Sequence, residues 1–295
     1  MNNKLVILFN HPHIENIDTL DNIYRNRYGD IDYIVPMISC SKENIITSYR
    51  GSYSFHGMIL DYLLCKEHEI LSNPSGFMIF CQDDVLINPK LDLNFFEKNI
   101  LSRYGGFITP ISNFFTEKWI WSERVYKKFL NGDNPSFGHG LLNFCSYLPN
   151  PEKIRTNFLE NKIDVFNNLE NFTSESKSIV EKYNIPLVKG LSDFFIIKNS
   201  HIPFFLNYLK VFTALDIFPE VAIPTALAGS VNNLYSNYIN NNFQSSILWG
   251  DHRKKAYDTS YVNNFFSSTN SIYLHPCKFS LLDDRDKYFK EINYV

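Results

Sequence analysis

Between Gly76 and Pro89 the chain reads Gly-Phe-Met-Ile-Phe-Cys-Gln-Asp-Asp-Val-Leu-Ile-Asn-Pro. An apolar run, Phe77 to Cys81, stops abruptly at Gln82, Asp83 and Asp84, and a second short run, Val85 to Ile87, closes at Asn88-Pro89. The first run is too short for a buried helix and is bounded by Gly and Pro, so it predicts a buried strand. Two adjacent carboxylates at the end of such a strand are costly unless something compensates their charge. A divalent cation is the usual compensation, and hard cations such as Mg²⁺ or Mn²⁺ prefer carboxylate oxygen.

The pattern around this strand alternates. Residues 4–9 and 32–38 read as strands, and 15–28 as a helix with Ile17, Leu20, Ile23 and Tyr24 at helical spacing. Residues 55–69 read as a second helix, with Met58, Ile59, Tyr62 and Leu63 on one face. Further on, 105–110 and 194–197 predict strands, while 201–212, 220–228 and the charged tail from 281 predict helices. Strands alternating with helices imply an α/β fold, a mostly parallel sheet with helices on its faces. Ligands of such sheets bind beyond the carboxyl ends of the strands, which is where Asp83 and Asp84 fall. Residues 112–184 are rich in Asn, aromatics and turn formers, and predict an insertion of short helices and loops that carries substrate-specific contacts. With no repeat and no linker, the expectation is one domain over 1–295, divided as 1–110, an insertion at 111–184, and 185–295.

Bulk properties exclude some classes. A net charge of −3 gives no support for nucleic-acid binding. No apolar stretch is long enough to span a bilayer, and the apolar part of the N-terminus is too short for a signal peptide. Cys40, Cys65, Cys81, Cys145 and Cys277 are scattered without C-x-x-C spacing, which predicts reduced, mostly buried thiols and a cytoplasmic setting. The basic run 252–255 reads as a solvated loop, or as help in holding a diphosphate or a membrane-surface acceptor.

Four other constellations bear chemistry. Ser271-Ile-Tyr-Leu-His275-Pro-Cys-Lys278 ends an apolar run in an imidazole followed by an ammonium. Lys189-Gly190-Leu-Ser-Asp193 precedes a strand, and Phe218-Pro-Glu220 puts an acid in the first turn of a helix, where the helix dipole favours it. Tyr49-Arg50-Gly51-Ser52 joins the second strand to the next helix, and His11 and His13 follow the first strand. Taken alone, each has a plainer reading, as a surface turn, a structural histidine or a solvated loop.

In this order the pieces resemble a nucleotide-sugar-dependent glycosyltransferase of the GT-A fold, of the type that builds bacterial surface glycans such as lipopolysaccharide or capsule. In that fold an Asp-x-Asp motif ends a central strand and holds a divalent cation on the sugar-nucleotide diphosphate. The resemblance implies a Rossmann-like mixed sheet flanked by helices, with 1–110 as the nucleotide-sugar half and 185–295 as the acceptor side. It implies Mn²⁺ or Mg²⁺ on Asp84, Asp83 and His275. Gln82 stands where the motif begins with Asp, which weakens metal affinity or shifts the load to Asp84. His11, Tyr49, Arg50, Gln82, Asp83, Gly190 and Lys278 would surround the nucleotide sugar, with Tyr49 on the base and Arg50 and Lys278 on phosphate. Asp193 would bind sugar hydroxyls, and Glu220 would take the proton of the acceptor hydroxyl, giving inversion, with a retaining mechanism left open. The implied partners are a nucleotide-sugar donor and a glycan or lipid-linked glycan acceptor, at the inner face of the plasma membrane. Two other readings stay open: a metal-dependent nucleotidyl- or phosphotransferase, and a non-catalytic nucleotide- or glycan-binding protein.

Overall fold

The computed structural model describes residues 3–113, 125, 187–236 and 242–294. The first part holds strand β1 (Lys4–Leu8), helix α1 (Ile17–Tyr28), β2 (Ile31–Pro36), β3 (Ile45–Ser48), α2 (Phe55–Cys65), α3 (Glu67–Leu71), β4 (Phe77–Gln82), β5 (Leu86–Ile87), α4 (Leu93–Phe96), β6 (Gly106–Ile108) and β7 (Ile111–Asn113). The second part holds β8 (Val188–Gly190), β9 (Phe194–Lys198), α5 (Ile202–Ala214), α6 (Pro219–Ser230), β10 (Leu234–Tyr235), β11 (Gln244–Ile247), a 3-10 segment (Gly250–Tyr257), α7 (Thr259–Phe265), β12 (Ser271–His275) and α8 (Arg285–Glu291). Most of the insertion expected at 111–184 lies outside the described residues; its first strand, β7, pairs with β8.

Seven strands form one mixed sheet in the order β10-β6-β9-β4-β1-β2-β3. Strands β4, β1, β2 and β3 run parallel, as does β10 with β6. Strand β9 runs antiparallel to both of its neighbours. The sequence expectation of a mostly parallel sheet is met but for this strand, and the exception matters. In an antiparallel pair the start of one strand lies beside the end of the other, and Phe194 pairs with Cys81. The residue before β9, Asp193, is therefore delivered to the same edge as the acids that follow β4.

Side chains on a strand alternate between faces, and β4 shows it. Met78 and Phe80 enter one core with Met58, Tyr62, Leu209 and Leu227 of α2, α5 and α6. Phe77, Ile79 and Cys81 enter the other with Tyr24, Phe96 and Tyr273. The Phe80 ring stacks on Phe195 of β9 at 4.9 Å between centroids. Burying a Phe side chain of this kind contributes on the order of 1.5–3 kcal/mol. A core covering both faces of the central strand leaves the carboxyl edge as the place where polar groups gather.

A second sheet, β11-β12-β5, closes over that edge. Strand β12 is parallel to β11 and antiparallel to β5, with Leu274 opposite Leu86. The chain beyond α8 is stapled to the same place: the Tyr294 hydroxyl donates to the Ile87 carbonyl, and the Arg27 guanidinium lies 4.9 Å from the Tyr294 ring centre.

Other expectations change in detail. The helix expected over 55–69 breaks at Lys66, which leaves helical geometry and separates α2 from α3. Strand β3 was not expected; it is a short edge strand with only two apolar residues, Ile45 and Ile46, and pairs with β2. Cys81 and Cys277 are buried, but Cys40 and Cys65 are exposed, and Cys145 lies outside the described residues. No helix among the described residues is long and apolar enough to cross a membrane.

Candidate active site

The acids after β4 are aimed by the backbone. The Asp83 amide donates to the Leu8 carbonyl at 2.9 Å, and the Gln82 amide to the Asp193 carbonyl at 2.9 Å. The Val85 amide closes a turn on the Gln82 carbonyl at 3.1 Å, and the Cys277 amide holds the Asp84 carbonyl at 2.7 Å. The chain after β4 is thereby fixed to β1, to β9 and to the segment after β12. His275 ends β12 and lies opposite Ile247 of β11.

Six side chains from four parts of the sequence form a polar line across this edge. Asn10 Nδ2 donates to Gln82 Oε1 at 3.2 Å, and Gln82 Nε2 donates to Asp193 Oδ1 at 2.8 Å. Asp193 Oδ2 lies 3.4 Å from His275 Nδ1, and His275 Nε2 lies 3.1 Å from Asp84 Oδ1. Lys278 Nζ donates to Asp84 Oδ2 at 3.2 Å. Gln82, Asp84, Asp193 and His275 are all buried. The two approaches to the imidazole are close enough for ion pairs but lack hydrogen-bond alignment: Asp84 Oδ1, Asp193 Oδ2 and His275 Nδ1 are buried without a hydrogen-bond partner.

The charges set one another. Burial disfavours the imidazolium, but Asp193 and Asp84 outweigh it and raise the His275 pKa to about 9. Burial would raise Asp84, yet His275 and then Lys278 hold it below the usual carboxylate value. Asp193 is pushed up, by burial and by Asp84, against the pull of His275. Glu220, in the first turn of α6, is pushed up to about 8 by burial and then by Asp193, and its Oε2 has no hydrogen-bond partner.

These groups line one cavity of about 600 Å³. Asn10, His11, Gln82, Asp84, Asp193, Glu220, His275 and Lys278 supply its polar lining, with Arg253. Tyr53, Phe55, Phe218 and Trp249 supply aromatic walls. The volume is that of a small-molecule site, and the mixture of aromatic surface with a few convergent polar groups is the usual composition of one.

Among the described residues no group of three or more His, Cys, Asp or Glu side chains is placed to hold a metal alone. The donor set nevertheless fits a cation that shares its coordination with substrate. Asp84 offers a buried oxygen with no hydrogen-bond partner, and His275 Nε2 stands beside it as a nitrogen donor. Mg²⁺ and Mn²⁺ sites of this kind take one or two protein ligands and complete the shell with phosphate and water. Asp83 is differently placed. Its Oδ1 is turned to the Asn10 amide at 3.4 Å, it is absent from the cavity lining, and burial followed by Asp84 raises its pKa.

Of the residues singled out in the sequence, the cavity gathers His11, Gln82, Asp84, Asp193, Glu220, His275 and Lys278. It does not gather Tyr49, Arg50 or Gly190. Tyr49 is exposed, and Arg50 Nε is paired with Asp61 Oδ2 at 3.0 Å. Gly190 sits against Ile111 and Pro224, so its missing side chain lets β8 approach α6. His13 pairs with Glu15 at 3.0 Å. Asn10, Tyr53, Phe218 and Trp249 went unread in the sequence. Asn10 follows β1 directly and was legible from the rule that ligands gather at strand carboxyl ends.

No protein-family model matches this chain, and no curated protein matches it in sequence. Solved structures with a similar course of chain include the mannosyltransferase Ktr4p from S. cerevisiae, at 10% identity and a TM-score of 0.37, over 79% of this chain and 68% of that one. The same protein in complex with GDP matches at 9% and 0.35, over 79% and 68%. Core-mannan synthase A (CmsA/Ktr4) from Aspergillus fumigatus, in its Mn/GDP form, matches at 13% and 0.36, over 80% and 72%. Likeness at this level carries no residue roles.

Proposed function

We propose that this chain is a glycosyltransferase of the GT-A type, moving a sugar from a nucleoside diphosphate to a hydroxyl of a glycan or glycolipid acceptor, with inversion. The observation that supports this reading is the meeting, in one aromatic-walled cavity, of the Asp84–His275–Asp193 line with Glu220, whose Oε2 is buried without a hydrogen-bond partner. Lys278 supplies positive charge to a leaving diphosphate, and so does His275 while it keeps its proton. A divalent cation, when bound, would be held by Asp84 and by His275 that has given up that proton, and would offset the charge of the diphosphate. Asp193, fixed by Gln82, holds a sugar hydroxyl. Glu220, with a pKa near 8, is matched to accept the proton of an acceptor hydroxyl as the new bond forms. The aromatic walls fit the apolar faces of sugar rings and of a base.

The catalytic unit in this reading is one domain over 1–295, with 1–110 as the nucleotide-sugar half and 185–295 as the acceptor side. The four described cysteines are free, two of them exposed, which supports a reducing, cytoplasmic setting. The test is release of nucleoside diphosphate from a panel of nucleotide sugars, with Mn²⁺ or Mg²⁺ and mixed glycan acceptors. Acceptor-dependent release that is lost in Asp84→Ala supports the proposal. Turnover of nucleotides with no sugar transferred would replace it with a nucleotidyl- or phosphotransferase.

A further inference from the structure

The cavity has a second charged feature that the polar line does not use. The Arg253 guanidinium lies 5.2 Å from the ring centre of Trp249, and both line the cavity. Trp249 is held in place by the second sheet: the Leu248 amide donates to the His275 carbonyl at 2.8 Å, and the indole stands edge-on to the His275 ring at 5.9 Å. Arg253 makes no ion pair with a carboxylate among the described residues, whereas Lys278, the other cation with a long side chain here, is tied to Asp84. Of the basic run 252–255, Arg253 alone lines the cavity, and Lys255 is turned to the Tyr261 ring at 5.4 Å.

An arginine stacked on an indole keeps the N–H donors at its edge, and stacking reduces the freedom it loses on binding. Those donors match two oxygens of a phosphate. The rest of the cavity presents the carboxylates of Asp84, Asp193 and Glu220, so an anionic ligand enters only where unpaired positive charge meets it. We infer that Arg253, stacked on Trp249, forms an anion subsite that grips the phosphate oxygens of a diphosphate in the cavity. The inference rests on the sugar-transfer reading for the identity of that anion, and of the two readings of the run 252–255, solvated loop or diphosphate holder, it assigns the second to Arg253 alone.

The test is titration calorimetry on the full chain with inorganic pyrophosphate, a nucleoside diphosphate and the uncharged nucleoside. Arg253→Gln should weaken pyrophosphate and the nucleoside diphosphate by about tenfold or more and leave the nucleoside unchanged. Arg253→Lys should recover part of the loss, and Trp249→Leu should cost a smaller factor by freeing the arginine. Lys254→Gln, outside the cavity, should match the unaltered protein. Unchanged pyrophosphate binding in Arg253→Gln overturns the subsite, as does no pyrophosphate binding by the unaltered protein or an equal loss of nucleoside binding. Normal sugar transfer by Arg253→Gln would remove the subsite and leave the function standing. Pyrophosphate gripped through Arg253 with no nucleotide sugar turned over would do the reverse.

Discussion

Gln82 donates its side-chain amide to Asp193 across 2.8 Å, from the end of β4 to the start of β9. The first position of the acidic run therefore positions another acid, and the acids that flank His275 are Asp84 and Asp193, not the adjacent pair Asp83 and Asp84.

Replacing Gln82 tests that relationship. Gln82→Leu removes the donor and leaves Asp193 Oδ1 buried without a partner, a change of roughly 1–3 kcal/mol in the environment of one carboxylate. Transfer should fall about tenfold to a hundredfold in kcat/KM. Gln82→Glu should fall further, because it sets a carboxylate against Asp193. A glutamate variant as active as the unaltered enzyme would show that the position wants an acid and has no positioning role.

Glu220→Gln should keep donor binding and lose transfer by at least about a hundredfold, the scale of general-base catalysis. If Glu220 is the base, the rate of transfer by the unaltered protein should rise with pH until about 8, where Glu220 ionises. Stability has the opposite sign. Folding raises this pKa from 4.5, so the charged form is disfavoured, and stability is lost as pH rises from 4.5 through 8. Thermal melts should show Glu220→Gln more stable than the unaltered protein at pH 9 and level with it near pH 4. Equal melting at pH 9 would contradict the raised pKa.

His56 of α2 supplies a second pH effect, away from the cavity. It is fully buried, and both ring nitrogens lack a hydrogen-bond partner. Burial lowers its pKa from 6.5 to about 4, against Asp216, which raises it, and with Arg50, which lowers it. The unfolded chain takes the proton first, so stability is whole above pH 6.5 and drains as pH falls through 4, by at most about 3.5 kcal/mol. His56→Phe should flatten that decline in urea titrations between pH 7 and 4. A decline as steep as before would place the acid sensitivity elsewhere.

Gly190→Ala acts on Glu220 through packing. An added Cβ would meet Ile111 Cγ2 at 2.6 Å and Pro224 Cγ at 3.1 Å, with the Pro110 carbonyl at 3.2 Å. Pro224 stands one turn after Glu220 in α6, and with no N–H it leaves the Glu220 carbonyl without its helical partner. The crowding should cost about 1–3 kcal/mol and lower kcat by displacing that first turn. Unaltered denaturation and turnover would mean that β8 and α6 yield freely.

How much of this was legible depended on range. Strand β4 announced itself because its apolar run, its bounding Gly and Pro and its terminal acids are contiguous. The tail helix α8 and the acid-led α6 were legible for the same reason. The direction of β9 was not, because pairing Phe194 with Cys81 joins residues far apart in sequence, and no local pattern records which way a strand runs. That Arg50 and Gly190 lie outside the cavity lining was hidden for a related reason. Arg50 has an acid on the facing helix, Asp61, and Gly190 has a helix against it, neither visible from neighbours in the sequence. Tyr53, Phe218 and Trp249 were hidden by composition, since aromatic residues fill both cores as well as the cavity walls.

The staple at Tyr294 also carries information about time. The bond from Lys278 to Asp84 spans 194 residues, and the one from Tyr294 to Ile87 spans 207. Contacts of such separation form late, because the loop they close must first be ordered. The parallel strands β1, β2 and β4 are drawn from the first part of the chain and are complete long before its last strand arrives. In refolding, binding of a diphosphate should therefore return after the far-ultraviolet signal of the sheet; simultaneous recovery would contradict this order. A folding or newly made chain would hold its acids at the sheet edge for an interval before the cations that balance them are in place.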